Sequence, residues 1–228
     1  DTDGKYADAA GPELIQLASE AVADPKLLIP ELSWLVTDEA KNGFQFGQIL
    51  GQADDLKLWD SIISTWIEAG VQRSDFFVGG YLSAWYVKNV ALWEQLLEFL
   101  FKNSEIRSSV LGLVWRSGMT DHIASTLLAM AQRREIDPKA FRLFVYGNVI
   151  NQFPLGVIER VVDLLLEIDD ANAPDAALEI IDSRLRSRPD EMGGLSTRIE
   201  CALNLSVFVE AETRGHANND MLLYRWNE

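Results

Sequence analysis

The sequence feature that most constrains the fold is an apolar, glycine-bearing segment that recurs along the chain. It first occurs at residues 46–50 (Phe-Gly-Gln-Ile-Leu) and returns around Gly80, Gly112 and Gly147, so its glycines are 33, 32 and 35 residues apart. Apolar residues in each copy have helical spacing, and a second amphipathic segment follows each copy. A helix pair repeated with this period is typical of an α-solenoid, in which each unit packs on its neighbours.

The repeated glycines indicate close contact between helices. A glycine inside a helix costs roughly 1 kcal/mol relative to alanine, so glycines at equivalent places in a repeat require a structural reason. Because glycine lacks a Cβ atom, the first helix of each pair can approach its neighbour more closely.

We predict an all-α fold, a right-handed α-solenoid of about five irregular helix pairs of about 30–36 residues each. Residues 1–10 have no apolar period and are predicted to fray, while 11–37 are predicted to form N-terminal capping helices. Residues 38–186 are predicted to hold the helical repeats, and 187–228 a C-terminal capping helix and a tail. Residues 143–150 are rich in Val, Phe and Tyr, but they align with the glycine-bearing helices and are therefore predicted to be helical.

Local start and stop signals divide the repeats into helices. Helix starts are predicted at Thr37, Asp54 or Asp55, Thr120, Asp137-Pro138 and Pro154, and Asn89 is predicted to separate two helices. Gly70 and Gly118 are predicted to end helices.

Composition excludes several classes of protein. Hydrophobic residues make up 48% of the 228-residue chain, which rules out disorder over most of its length. The net charge is −15, and the first 100 residues contain 16 acidic and 6 basic side chains. An acidic surface repels phosphate backbones, so we expect no nucleic-acid partner.

The single cysteine, Cys201, excludes an intramolecular disulfide framework and any multi-cysteine metal site. It fits a reducing compartment, and we expect a cytoplasmic location. No apolar run approaches the roughly 20 residues that span a bilayer, so no membrane partner is expected.

The repeat pattern resembles the HEAT-like and tetratricopeptide families of helical repeats over about residues 38–186. The resemblance lies in the period and the helix-pair pattern. The tetratricopeptide signature of Trp, Leu-Gly, Tyr, Ala, Phe and Pro at fixed offsets is not reproduced, and the irregular unit lengths are more similar to the HEAT-like kind. This resemblance implies a curved surface that binds other macromolecules, and it identifies no substrate.

A search for catalytic motifs finds no P-loop, no nucleophile elbow and no His-Glu-x-x-His sequence. The only histidines are His122, which is predicted to be exposed at a helix start, and His216. Cys201 is predicted to be a small buried hydrophobe. The pairs Asp54-Asp55 and Asp169-Asp170 lie at helix boundaries, where Asp commonly caps helices or forms turns. We therefore predict no catalytic residue, no metal and no cofactor.

Aromatic and amide side chains are the candidates for binding a partner, because Trp and Tyr are favoured in interfaces. The alternative for the aromatic residues is core packing. The candidates are Trp85, Tyr86, Trp93, Trp115, Tyr146, Asn148 and Asn151.

Two functions remain open. The first is a non-catalytic helical-repeat module that binds a protein or peptide and is part of a larger protein. The second is a HEAT-like enzyme of the DNA glycosylase type. The net charge of −15 disfavours it, because an acidic protein offers few Lys and Arg side chains to the phosphates of DNA. Retention on heparin at low salt would distinguish the second from the first.

Overall fold

A computed structural model describes residues 11–204, which fall into two compact units divided after Gly118. The predicted N-terminal fray and most of the predicted tail, including His216, lie outside these residues. Regular structure within 11–204 is helical, and an isolated antiparallel bridge joins Thr37 to Arg73. The all-α prediction is therefore confirmed. The division of the chain into caps and repeats stays a prediction.

The first unit contains a series of α-helices joined by turns and short 3₁₀ segments. The α-helices are α1 (Gly11–Ala23), α2 (Leu32–Leu35), α3 (Gly43–Ala53), α4 (Trp59–Glu68), α5 (Phe76–Lys88), α6 (Val90–Phe101) and α7 (Arg107–Ser117). The 3₁₀ segments are Pro25–Leu27, Ile29–Glu31 and Gly70–Gln72.

Several helix boundaries follow from the predicted capping residues. The Asn89 side chain accepts a hydrogen bond from the backbone N–H of Leu92, and Asn89 caps α6. Gly70 adopts a left-handed φ of 56° just after α4, as expected for a residue that ends a helix. The predicted cap at Thr37 is wrong. The residues after Thr37 form turns, and α3 begins only at Gly43.

The helices α3 and α5 make direct backbone contact through a row of glycines. Gly43 faces Phe77. Gly51, two turns later, faces Tyr81 and Ala84. The contacts advance in the same direction along both helices, so α3 and α5 run parallel. Between these positions, a Cβ atom at Gly47 would overlap the carbonyl oxygen of Phe77.

Glycines on α5 and α7 also lie against atoms that would overlap a Cβ atom. A Cβ atom at Gly80 of α5 would overlap the carbonyl oxygen of Phe44. On α7, a Cβ atom at Gly112 would overlap the Asp75 carboxylate, whose Oδ1 accepts a hydrogen bond from Arg116 Nε at 2.8 Å. The predicted close approach of helices is thus confirmed at positions 47 and 80, whereas at position 112 the Asp75 side chain fills the space beside the glycine.

The second unit contains α8 to α11 and two stretches of 3₁₀ helix joined by a kink at residues 146–148. Its α-helices are α8 (Asp121–Gln132), α9 (Leu155–Leu166), α10 (Ala173–Ser187) and α11 (Met192–Asn204). The 3₁₀ segment Pro138–Gln152 lies between α8 and α9, and the short segment Pro189–Glu191 precedes α11. As predicted, Thr120 caps α8 by accepting a hydrogen bond from Ile123 N.

The expectation that Gly147 lies inside a helix is wrong. Tyr146, Gly147 and Asn148 leave the helical conformation, with φ of 69° at Gly147 and 59° at Asn148. The segment therefore turns at the position that corresponds to the tightest helix contact in the first unit. Gly and Asn are the residues that adopt left-handed backbone most readily, which explains why the chain turns there.

A buried arginine holds the end of the segment Pro138–Gln152 in place through hydrogen bonds. Arg184 on α10 is 4% exposed and donates from Nε and Nη2 to the Glu191 carboxylate at 2.6 and 2.8 Å. Its Nη1 donates to the carbonyl oxygens of Ile150, Asn151 and Phe153. One guanidinium thus donates hydrogen bonds to the backbone carbonyls at the end of the 3₁₀ segment, which lack helical partners.

Candidate peptide-binding groove

Two of the predicted partner-binding aromatics lie in the core of the first unit. Trp85 is 5% exposed, and the Lys88 ammonium lies 4.4 Å from the centre of its ring. Trp93 is fully buried, and its Nε1 donates a hydrogen bond to Ser117 Oγ at 3.0 Å. The prediction that these two side chains line an accessible surface is therefore wrong. The α5 helix is apolar on more than one face, and Trp93 lies on the buried face of α6 together with Leu96, Leu97 and Leu100.

The other two aromatics of the first unit are half-buried. Tyr86 packs edge-on against Trp93, with ring centres 4.9 Å apart, and its ring fills the space beside Gly118. Trp115 lies beside Arg116, whose guanidinium is 4.6 Å from its ring centre. Both side chains thus have internal packing partners, and their role in binding stays a prediction.

The three candidates in the second unit all lie in the segment Pro138–Gln152, within or just after its turn. Tyr146 is 59% exposed, and Asn148 is also exposed. Asn151 is half-buried, its Nδ2 donates to Ser187 Oγ at 2.8 Å, and its carbonyl accepts from Arg184. Asn151 therefore holds the 3₁₀ segment against α10, which is a structural role.

Cys201 and His122, the cysteine and the histidine within residues 11–204, are both exposed. Cys201 is exposed on α11, so the prediction of a buried thiol is wrong. The described part of α11 buries Leu195, Ile199 and Ala202, and Cys201 falls outside that stripe. His122 is exposed at the start of α8, as predicted.

The paired aspartates act in turns. Asp54 is fully buried and accepts hydrogen bonds from the backbone of Lys57 and Leu58 and from the hydroxyl of Tyr81, the last at 2.6 Å. Burial, and then the bond to Asp54, raise the pKa of Tyr81. This arrangement starts the turn into α4 and ties it to α5.

Asp170 has a comparable role in the second unit. Its Oδ2 accepts a hydrogen bond from Lys139 Nζ at 2.6 Å, and its Oδ1 accepts one from Asn172 N at 2.8 Å. The bond from Lys139 is the main cause that holds the pKa of Asp170 below its usual value.

An apolar groove lies in the first unit between α1, the turns that follow it, α2 and the start of α3. It encloses about 350 Å³ and we call it the N-terminal groove. Its lining residues are Leu14, Leu17, Glu20, Ala21, Leu27, Leu28, Glu31, Trp34, Leu35, Ala40, Asn42, Gly43 and Phe46.

The floor and the rim of the groove differ in exposure. Leu28 and Leu35 in the floor are buried. Leu17, Leu27 and Trp34 at the rim are 52, 57 and 47% exposed, respectively. Large apolar side chains that remain half exposed around a concave surface are typical of interaction sites.

The groove is acidic at its edges. Glu20 on α1 and Glu31 before α2 are the charged residues of the lining, and both are exposed. Between residues 11 and 46 the sequence contains six acidic and two basic side chains. A cationic partner would therefore be attracted to this region, and an anionic one repelled.

The prediction of capping helices at 11–37 did not identify this groove, although the sequence holds a signal for it. A terminal cap of a repeat array needs a polar outer face. The first helix instead carries Leu14, Ile15 and Leu17 on more than one face, and Ile15 and Leu17 are 57 and 52% exposed. The excess of apolar residues on α1 is therefore the feature of the sequence that indicates the N-terminal groove.

Comparison with protein-family models, curated proteins and solved structures finds no match to this chain. No helix within residues 11–204 combines the length and the apolar character needed to cross a bilayer. In the same range, no three His, Cys, Asp or Glu side chains are placed to hold a metal ion together.

Proposed function

We propose that this chain is a non-catalytic binding module that captures a peptide segment of another protein in the N-terminal groove. The observation that carries the proposal is the apolar rim of Leu17, Leu27 and Trp34 above a buried apolar floor. Fully burying an exposed side chain of this kind contributes about 1.5–3 kcal/mol, and since these three are already about half buried, each adds roughly half of that when a partner covers it.

The proposal includes the arrangement of the helix pairs as a right-handed α-solenoid. Support comes from the first unit, where α3 and α5 run parallel with a second helix between them in sequence. The same direction holds for α5 and α7, because Gly79 lies beside Arg116 and Asp75 beside Gly112. Parallel contacts between the first helices of successive pairs are what a stack of helical repeats requires.

The DNA glycosylase alternative gains no support from the groove. Glu20 and Glu31 stand where a nucleic-acid site would need cations, so a phosphate backbone would be repelled. We also propose a cytoplasmic location for the protein, because an exposed free thiol at Cys201 is suited to a reducing compartment.

The test is selection of peptides from a displayed random library on the full-length chain, followed by affinity measurement on a groove variant. We expect the enriched peptides to carry apolar anchors. Their Kd for the Leu17→Asp variant should be about tenfold higher or more, because the substitution removes one apolar contact and the new charge opposes burial of the peptide's apolar side chain. Leu17 is exposed, so the variant is expected to fold.

A matched control is Val71→Asp, which places the same charge at a fully exposed apolar residue in the turn after α4. The selected peptides should bind this control as they bind the unaltered chain. Failure to enrich any peptide, or equal affinity for the chain and for Leu17→Asp, would refute the N-terminal groove as the site.

A further inference from the structure

The geometry of the N-terminal groove points to one kind of occupant: an amphipathic α-helix whose apolar face is flanked by Lys or Arg. This inference rests on the proposed function, since it names the partner of that same groove. It follows from three properties of the lining: its scarcity of hydrogen-bonding groups, its two carboxylates, with which no Lys or Arg of residues 11–204 forms an ion pair, and its exposed apolar rim.

The first property selects a helix over an extended peptide. Asn42 is the one uncharged polar side chain in the lining, and the remaining walls are apolar apart from the two glutamates. An extended peptide would have to leave backbone N–H and C=O groups without partners against those walls, at a cost for each. A helix satisfies its backbone groups internally and offers side chains at i, i+3, i+4 and i+7.

The groove wall itself is built in the same register. Leu14, Leu17 and Ala21 follow one another along α1 at spacings of three and four residues and line one side of the groove. Such a row is what a second helix packs against. Within the described residues of the first unit no helix covers it, because Leu17 remains 52% exposed.

The second property sets the charge of the partner. Glu20 accepts a hydrogen bond from Gln16 Nε2 at 2.9 Å, and no Lys or Arg between residues 11 and 204 forms an ion pair with Glu20 or Glu31. The two carboxylates therefore stay available to cations that flank an apolar helix face. They oppose an anionic lipid or a fatty-acid carboxylate, which would otherwise suit an apolar lining.

The experiment measures anisotropy of three labelled, end-capped synthetic peptides with the full-length chain. The first places Leu at helical spacing in a 15-residue Ala-rich sequence with Lys at the flanks. The second has Glu in place of each Lys, and the third is the first with a central Ala changed to Pro, which breaks the helix. We expect the Lys peptide to bind at least about tenfold more tightly than either of the others.

A charge-reversed chain provides the decisive comparison. In the double variant Glu20→Lys with Glu31→Lys, the preference should invert, so that the Glu peptide binds more tightly than the Lys peptide. Glu68→Lys, which changes an exposed carboxylate on α4 outside the groove, should leave the preference as it is. Raised salt should weaken binding of the Lys peptide to the unaltered chain.

The outcomes separate this inference from the proposed function. Equal binding of all three peptides, abolished by Leu17→Asp, would overturn the inference and leave a peptide-binding groove. No binding of any peptide in this assay, together with failure of the library selection, would overturn both. A dimer by sedimentation that Leu17→Asp dissociates would assign the groove to a second copy of this chain and also overturn the inference.

Discussion

Replacing Gly47 by alanine is expected to destabilise the first unit, although alanine is the best helix former. The reason is that the groups around Gly47 belong to the backbone of α5. An added methyl would overlap the carbonyl oxygen of Phe77 and would lie 3.0 Å from Tyr81 N and 3.1 Å from the Phe77 carbonyl carbon. Backbone atoms in the middle of a helix cannot move individually, so α3 and α5 must separate.

The size of the effect follows from that separation. Restoring a normal carbon–oxygen distance requires a shift of about 1 Å, which forfeits a quarter to a half of the dispersion energy along the contact. Overpacking of this kind costs about 3 kcal/mol, and the better helix propensity of alanine returns about 1 kcal/mol. The net loss is therefore about 2 kcal/mol, which lowers the Tm of a unit of this size by about 8 °C.

Tryptophan fluorescence during urea unfolding reports this unit selectively, because six of the seven tryptophans lie before residue 119. The matched control is Gly43→Ala on the same row of α3. A methyl at position 43 would lie 3.5 Å from the Cβ atoms of Ala40 and Phe77, which is an ordinary contact. Gly43→Ala should leave stability equal to that of the unaltered chain or raise it slightly.

Equal urea midpoints for Gly47→Ala and Gly43→Ala would refute the reasoning. That result would mean that the two helices can separate at no cost, and that the glycine row does not determine how closely they pack.

Two further predictions concern the second unit. Arg184→Lys keeps the charge but cannot reproduce the two-point bond to Glu191 or the bonds to the carbonyls up to Phe153, so we expect a loss of about 3 kcal/mol in urea unfolding followed by circular dichroism; an unchanged midpoint would contradict it. The pKa of Asp170 is lowered in the folded state by Lys139, so its contribution to stability is present above the unfolded pKa of about 3.9 and is lost as the pH falls through the folded pKa. Asp170→Asn should therefore be less stable than the unaltered chain near pH 6, with the difference vanishing in acid, and a difference that stays constant with pH would count against the ion pair.

The parts of the fold that depend on local chemistry could be predicted from the sequence. Asn89, Thr120 and Gly70 start or end helices through interactions with groups a few residues away, and the predicted helix boundary at each of them is confirmed. The close contacts at Gly47 and Gly80 were also predictable, since a helical glycine without such a role would be a net cost.

The turn at Gly147 shows where the repeat pattern misleads. Apolar spacing there matches the other copies, but the following residue is Asn148, and a Gly-Asn pair favours left-handed backbone. That local signal outweighed the repeat and was present in the sequence.

The site could not be predicted to the same extent, because exposure depends on which surfaces pack together. Trp93 and Leu17 are both large apolar residues on amphipathic helices, yet one is fully buried and the other is half exposed. Helical periodicity assigns each residue to a face of its own helix. It does not say whether a neighbour covers that face, and Trp93 is covered by side chains such as Tyr86 of α5 and Ser117 of α7.

The glycine contact between α3 and α5 also has a consequence for selectivity at the N-terminal groove. Gly43 and Phe46 of α3 line that groove, and α3 rests on α5 with no side chains between the two backbones at Gly47. The α3 backbone supported in this way cannot move toward α5, so the backbone of this wall loses little conformational entropy when a partner binds. The same rigidity means that an oversized anchor is rejected rather than accommodated, and the groove should discriminate partners by the size of their apolar side chains.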